Sequence, residues 1–290
     1  MADAIENVED ILLDSLEILG TERVEDPGCI QYGDLVLTVA PKEGKANTLL
    51  ADHLFSPALL LAERIERNLV EVAGRSIIEL GAGCALPSLL AATLPEPPKL
   101  VVVTDYPDDI ILGSLRRTVE RNVQHFRPPC AVHCEGYEWG KDASSLLSVR
   151  LSEGPDGSLG YDVVIMSDLL HFHSSHDALI HSLSSLLAKT SGARVYVAAG
   201  NYTALPVCQN FLDTGSRMGL LWEGGGGASD QGNRSDYKGD IEATSPWLGT
   251  RTVAGIDATQ LGVRKGLCRW WVGRWNIPNI KGVVDGITVV

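Results

Sequence analysis

SIIELGAGCALP, residues 76–87, is the stretch whose reading decides the fold. A short apolar run carries Glu79 two positions before Gly81. Gly81 and Gly83 then bracket a tight turn, and Ala85, Leu86 and Leu89 open a helix. The next apolar run, LVVVTD at 100–105, closes on Asp105. Strand, glycine turn, helix, strand and acid form the frame of a nucleotide-binding half-sheet. The glycines suit a turn at which backbone must approach a ligand with no side chain in the way.

Outward from this stretch, apolar strands alternate with helical patterns. The second helix reads DIILGSLRRTVERNV, and AVHCEGY follows as a third strand. A loop rich in Ser, Gly and Pro is expected over 141–160. YDVVIMSD is the fourth strand, DALIHSLSSLLA the next helix, ARVYVAAG the fifth strand and LPVCQNFLDTGSRM its helix. GLLWE reads as a sixth strand, 224–246 as a loop, and CRWWVGRW at 268–275 as the last strand. Continuous apolar strands between helices predict an α/β fold with a parallel sheet covered on both faces. Upstream, Val8, Leu12, Leu16 and Leu19 fall at helical spacing. LVLTVA at 35–40 alternates like a hairpin strand. FSPALLLAERIERNLV at 55–70 reads as a helix, with Ser56 as its N-cap and Pro57 in its first turn. Residues 1–70 are therefore expected to form an N-terminal cap and 71–290 the main domain.

The composition is that of an ordinary globular chain, 290 residues long and 44% hydrophobic. Its net charge of -13 argues against a nucleic-acid partner, which requires clustered Lys and Arg. No apolar run is long enough for a bilayer. The first twenty residues hold six acids and no Lys or Arg, unlike a signal or transit peptide. The six cysteines are dispersed and form no CxxC pair, as in a reducing compartment. The expectation is a cytoplasmic protein, a monomer, with no membrane partner.

The turn E-L-G-A-G-C-A resembles motif I of the class I methyltransferases, with alanine for the last glycine. A dinucleotide fingerprint would place a third glycine where Leu86 stands. The cofactor implied is S-adenosyl-L-methionine, whose sulfonium and ammonium suit a turn flanked by acids. Tyr137-Glu138-Trp139-Gly140, DVVIMSDLL and AAGNYT extend the likeness from about Asn47 to Trp275. The chain is similar to the lysine-methyltransferase-like branch, including fungal nicotinamide N-methyltransferase-like and elongation-factor enzymes. That implies a seven-stranded Rossmann-like sheet with a late hairpin. By position it assigns Glu79, Gly81, Gly83 and Ser167 to the cofactor, Asp105 to its ribose and Trp139 to its adenine.

Asp168 ends the fourth strand, where ligands of open α/β sheets bind. Relatives carry D-x-x-Y or D-x-x-W there, whereas this chain has Asp168-Leu169-Leu170-His171. Asp168, His171 and Tyr202 are the catalytic candidates, with His171 a possible proton acceptor. His53 and Phe55, in ADHLFSP, are the substrate-side candidates. Asp162 opens its strand and receives no catalytic role. His171, His173, His176 and His181 lack the spacing and companions of a metal set and are expected to face solvent or substrate. Trp270, Trp271 and Trp275 are expected in the core or on the sheet face. The resemblance implies methyl transfer to an amine nitrogen, in a protein (lysine or N-terminus) or a small molecule such as nicotinamide. Alternatives are a small-molecule O- or N-methyltransferase of secondary metabolism, or a cofactor-binding regulatory partner without catalysis.

Overall fold

The computed structural model describes residues 28–153, 159–224 and 246–277. A hairpin comes first, β1 (Cys29–Tyr32) and β2 (Leu35–Thr38), then α1 (Gly44–Thr48) and α2 (Ser56–Glu66). The alternating part follows as β3 (Ser76–Leu80), α3 (Leu86–Ala92), β4 (Leu100–Asp105), α4 (Asp109–Asn122), β5 (Ala131–Gly136) and α5 (Ser144–Glu153). It continues through β6 (Val163–Ser167), α6 (His176–Leu186), β7 (Arg194–Gly200), α7 (Leu205–Arg217), β8 (Leu220–Gly224), α8 (Ala258–Gly266) and β9 (Cys268–Trp275).

The main sheet has seven strands in the order β5-β4-β3-β6-β7-β9-β8. Strands β3 to β7 pair in parallel, and β9 runs antiparallel to both neighbours. The period of two along each strand splits the core. Ile77, Val101, Val103, Val163 and Ile165 pack beneath α2, α3 and α4. Ile78, Leu80, Val102, Val164 and Met166 pack beneath α5, α6 and α7. With both faces buried, every residue of β3 and β4 is buried, which is why these strands read as unbroken apolar runs. Strand order reverses between β3 and β6, which opens a crevice at their carboxyl ends.

The hairpin and α2 share this core. Ile30, Leu35 and Leu37 of the hairpin and Leu59, Leu60 and Ile65 of α2 belong to the same cluster as Ile77 and Val101. Helix α4 closes the hairpin's outer edge with side chains. Asn122 accepts from Val36 N and donates to its carbonyl, both at 2.9 Å, and Thr118 accepts from Thr38 N. Strand-edge backbone groups are thereby satisfied without another strand.

Four expectations differ from the structure. Residues 144–153 of the anticipated 141–160 loop are helix α5, begun where Asp142 accepts from Ser144 N at 3.2 Å. Its many serines hid the helical period. Ser56 is not the N-cap of α2: Phe55 holds that position with no side-chain cap, and Ser56 is the first helical residue. Helix α8 was not anticipated, although Asp257 and Gln260 form a reciprocal capping box at its start. His176 faces neither solvent nor substrate. It is buried against Phe211, with Nε2 2.8 Å from Leu170 O, and burial lowers its pKa. The expected helix at 8–19 and most of the 224–246 loop lie outside the described residues.

Candidate active site

The cleft at the carboxyl ends of β3, β4 and β6 encloses about 240 Å³. Gly81 and Gly83 form its floor, both with positive φ (57° and 55°). A Cβ on Gly81 would lie 2.7 Å from Leu169 Cδ2 and 3.0 Å from Trp139 Cζ2. A Cβ on Gly83 would meet no protein atom within 4 Å. Gly81 thus keeps the turn packed, and Gly83 leaves space open above it.

Asp105 stands beside the turn. One carboxylate oxygen accepts from Gly83 N and the other from Tyr106 N, each at 2.7 Å. Burial raises its pKa, and these two N–H donors oppose the rise. Trp139, after β5, lines the cleft and meets Phe172 edge-on at 5.5 Å. Ser167 and Asp168 enter the wall from the end of β6.

Asp168 adopts a left-handed backbone (φ 59°), unusual outside glycine. Its carboxylate accepts from Gly200 N at 3.3 Å and from Tyr202 Oη at 2.5 Å. The ends of β6 and β7 are therefore linked through two of the residues singled out in the sequence. Tyr202 itself is not part of the cleft wall. His171 is in the wall, its ring 4.0 Å from that of Phe172. His53 and Phe55 also line the cleft, stacked on each other at 5.5 Å.

Glu79 is placed apart from these residues. It is fully buried, accepts from Ser88 N at 3.3 Å and lies outside the cleft wall. Burial pushes its carboxyl up to about 8, helped by the charge of Asp105 and opposed by Ser88. Its expected cofactor contact thus has no direct geometry here. Asp162 accepts from both the backbone and hydroxyl of Ser76, a structural link between β3 and β6. Wall residues that sequence reasoning missed include Leu49, Leu50, Tyr106, Glu138 and Phe172. Phe172 and Tyr106 each adjoin a residue that was singled out, and that adjacency was the available signal. Lys45 donates to Tyr106 Oη at 2.7 Å and lies over its ring, tying α1 to the rim.

Among the described residues the wall contains three carboxylates, Asp105, Glu138 and Asp168, and no Lys or Arg. Such a wall suits a cationic ligand and disfavours a pyrophosphate. Burial pushes the Cys84 thiol up to about 12, which leaves it inert as a nucleophile.

Sheet order, glycine turn and terminal acid together define a Rossmann-like class I methyltransferase. Residues 40–203, more than half of the chain, match the lysine methyltransferase family, and the chain belongs to that family. It is 34% identical over 173 residues to a protein N-terminal and lysine N-methyltransferase of Eremothecium gossypii, an alignment covering 59% of this chain and 63% of the relative. Enzymes of the same name from Neurospora crassa and Yarrowia lipolytica are also 34% identical. Those alignments cover 53% and 60% of this chain and 55% and 69% of the relatives. The chain thus spans less than two thirds of the first two relatives. The methyl donor implied by the family is S-adenosylmethionine. The cleft fits it in two respects: open space above Gly83, and carboxylates for a sulfonium and an ammonium. Among the described residues no helix is long and apolar enough to cross a membrane.

Proposed function

We propose that this chain transfers a methyl group from S-adenosylmethionine to an amine nitrogen of a protein, at an N-terminus or a lysine, in the cytoplasm. The observation that carries the reading is a cleft walled by Gly81, Gly83, Asp105, Trp139 and Asp168, in which the carboxylates are the charged side chains among the described residues. The names of the fungal relatives support a protein acceptor.

The cofactor, when bound, supplies an electrophilic methyl group on a sulfonium. Gly81 and Gly83 give backbone access for its methionine part. Asp105 accepts from the ribose hydroxyls through lone pairs its two amide donors leave available. The face of Trp139 takes the adenine, Ser167 borders the same side, and Glu79 supports the turn from behind. Asp168 orients the acceptor amine, held in place by Tyr202 and Gly200 N. Fixing an amine in line with the methyl group removes much of the entropy cost of a bimolecular step. Phe55 and Phe172, both in the wall, supply apolar surface for the acceptor's alkyl part. Two imidazoles, His53 and His171, line the same cavity, and one of them takes the proton of the acceptor ammonium.

The test is to incubate the protein with methyl-labelled S-adenosylmethionine and undermethylated fungal cell extract. Label in protein, mapped by mass spectrometry to an α-amine or a lysine Nζ, is the expected result. Label confined to small molecules would refute the protein acceptor, and no transfer at all would refute the activity.

A further inference from the structure

His53 and Asp52, in the loop before α2, form a buried pair. His53 Nδ1 lies 2.7 Å from Asp52 Oδ1, and the two side chains are 2% and 3% exposed. His53 is in the cleft wall, and Asp52 is not. An ionised carboxylate accepts hydrogen bonds and cannot donate them, so Nδ1 carries the proton between them. In the neutral ring the basic lone pair then belongs to Nε2. Phe55, stacked at 29° to the imidazole, fixes the plane of the ring. A base oriented by a carboxylate behind it and presented to a cavity is a recurring catalytic arrangement.

We propose that His53 is the general base that deprotonates the acceptor amine, with Asp52 as its positioning residue. The proposal rests on the reading of the cleft as an amine methyltransferase site. An N–H bond of the acceptor ammonium breaks, its proton passes to Nε2, and the electron pair stays on nitrogen. That pair then forms the bond to the methyl carbon as the carbon–sulfur bond breaks, with its electrons passing to sulfur. The products are a methylated ammonium, a neutral thioether and an imidazolium, which Asp52 stabilises until the proton leaves to water.

The need for a base follows from acceptor chemistry. A lysine amine titrates near ~10.4 and an α-amine near ~8 in water, and only the free amine carries a lone pair. Imidazole changes charge between about pH 5 and 8, which suits a proton acceptor at neutral pH. Among the described residues, the charged and titratable groups that share the cavity with His53 are Cys84, Asp105, Tyr106, Tyr137, Glu138, Asp168 and His171, with Asp52 behind it. His171 packs on Phe172.

The experiment compares His53→Gln, Asp52→Asn and His171→Phe with the parent protein. Labelled methyl transfer into fungal cell protein is followed from about pH 6 to pH 10, and S-adenosylhomocysteine affinity is measured by calorimetry. His53→Gln should lose ~100-fold or more in turnover near pH 7. Its deficit should shrink steadily as pH rises and the acceptor deprotonates unaided. Asp52→Asn keeps the shape but offers Nδ1 an amide donor, which leaves the proton on Nε2. It should reproduce the His53→Gln profile. Both variants should bind S-adenosylhomocysteine within a few fold of the parent, which shows that they are folded. His171→Phe should keep the parent's pH limb. A pH-independent deficit in His53→Gln, full activity in it, or transfer of the limb to His171 would overturn the dyad alone. A parent protein that labels no protein would overturn the methyltransferase reading and the dyad together.

Discussion

Replacing Glu79 by Gln should stabilise the folded protein at neutral pH, by an amount that depends on pH in a defined way. Glu79 is fully buried, and burial is the main cause that moves its carboxyl from the ordinary 4.5 to about 8. The folded protein therefore keeps a proton that the unfolded chain releases. Between those two values stability falls as pH rises, and it levels off above about 8. At ~1.36 kcal/mol per pH unit, the whole gap corresponds to ~5 kcal/mol. Glutamine has the shape of the neutral acid and still accepts from Ser88 N, so its stability lacks this term. The advantage of Glu79→Gln over the parent should grow by ~3 kcal/mol between about pH 5 and pH 7.5. In melting temperature this is ~6–12 °C for a chain of this size. Urea denaturation of both proteins across that range measures it, and taking the difference cancels the titration of all other groups. An advantage that stays constant with pH would refute the buried neutral carboxyl. Calorimetry on the same variant bears on the cofactor role. A carboxyl that only supports the turn leaves S-adenosylhomocysteine affinity within a few fold, whereas direct contact with the ligand costs tenfold or more.

Three further outcomes follow from the geometry. Gly83→Leu, which places a side chain in the open space above the turn, should abolish S-adenosylhomocysteine binding in calorimetry while the protein remains folded, and NADH should bind neither form; normal affinity would remove Gly83 from the cofactor path. Asp168→Ala should lower turnover ~100-fold or more with cofactor affinity within a few fold, and Tyr202→Phe should show a weaker version of the same split because it loses only one hydrogen bond to Asp168; unchanged labelling rates would reduce Asp168 to a structural turn. Lys265→Met should cost ~3–5 kcal/mol in urea denaturation, since it removes the close ion-pair partner of the Glu63 carboxylate, which Lys265 meets at 2.9 Å with both side chains 1% exposed; a loss under ~1 kcal/mol would show that Leu248 N and Arg67, 3.9 Å away, suffice for Glu63.

The strands and helices of the sheet were legible because their signals are local. SIIEL, LVVVTD and VVIMS are buried on both faces, so the apolar run and the strand coincide. The glycine turn and Asp105 were legible because a backbone at positive φ and an acid at a strand end leave residue types behind. Helix α5 was missed because serine masks a helical period, and α8 because its capping box follows a long polar stretch. The likeness to relatives added the cofactor, which no periodicity reveals.

What the chain fixed locally was therefore the alternation of elements, the turn at 81–83 and the identity of the residues at strand ends. Strand order decided the rest. Putting β6 beside β3 brought Asp168 into the cleft with Gly81, and putting β7 beside β6 set Tyr202 against Asp168, 34 positions away. Glu79 and Asp105 looked alike in sequence, yet one faces Ser88 inside the fold and the other the rim of the cleft, because Glu79 pairs with Val103 within the sheet whereas Asp105 lies two residues further on, at the carboxyl end of its strand. His53 was visible as a polar residue in an apolar loop. Its orientation by Asp52 was set by burial of the pair, which only packing against the rest of the molecule imposes.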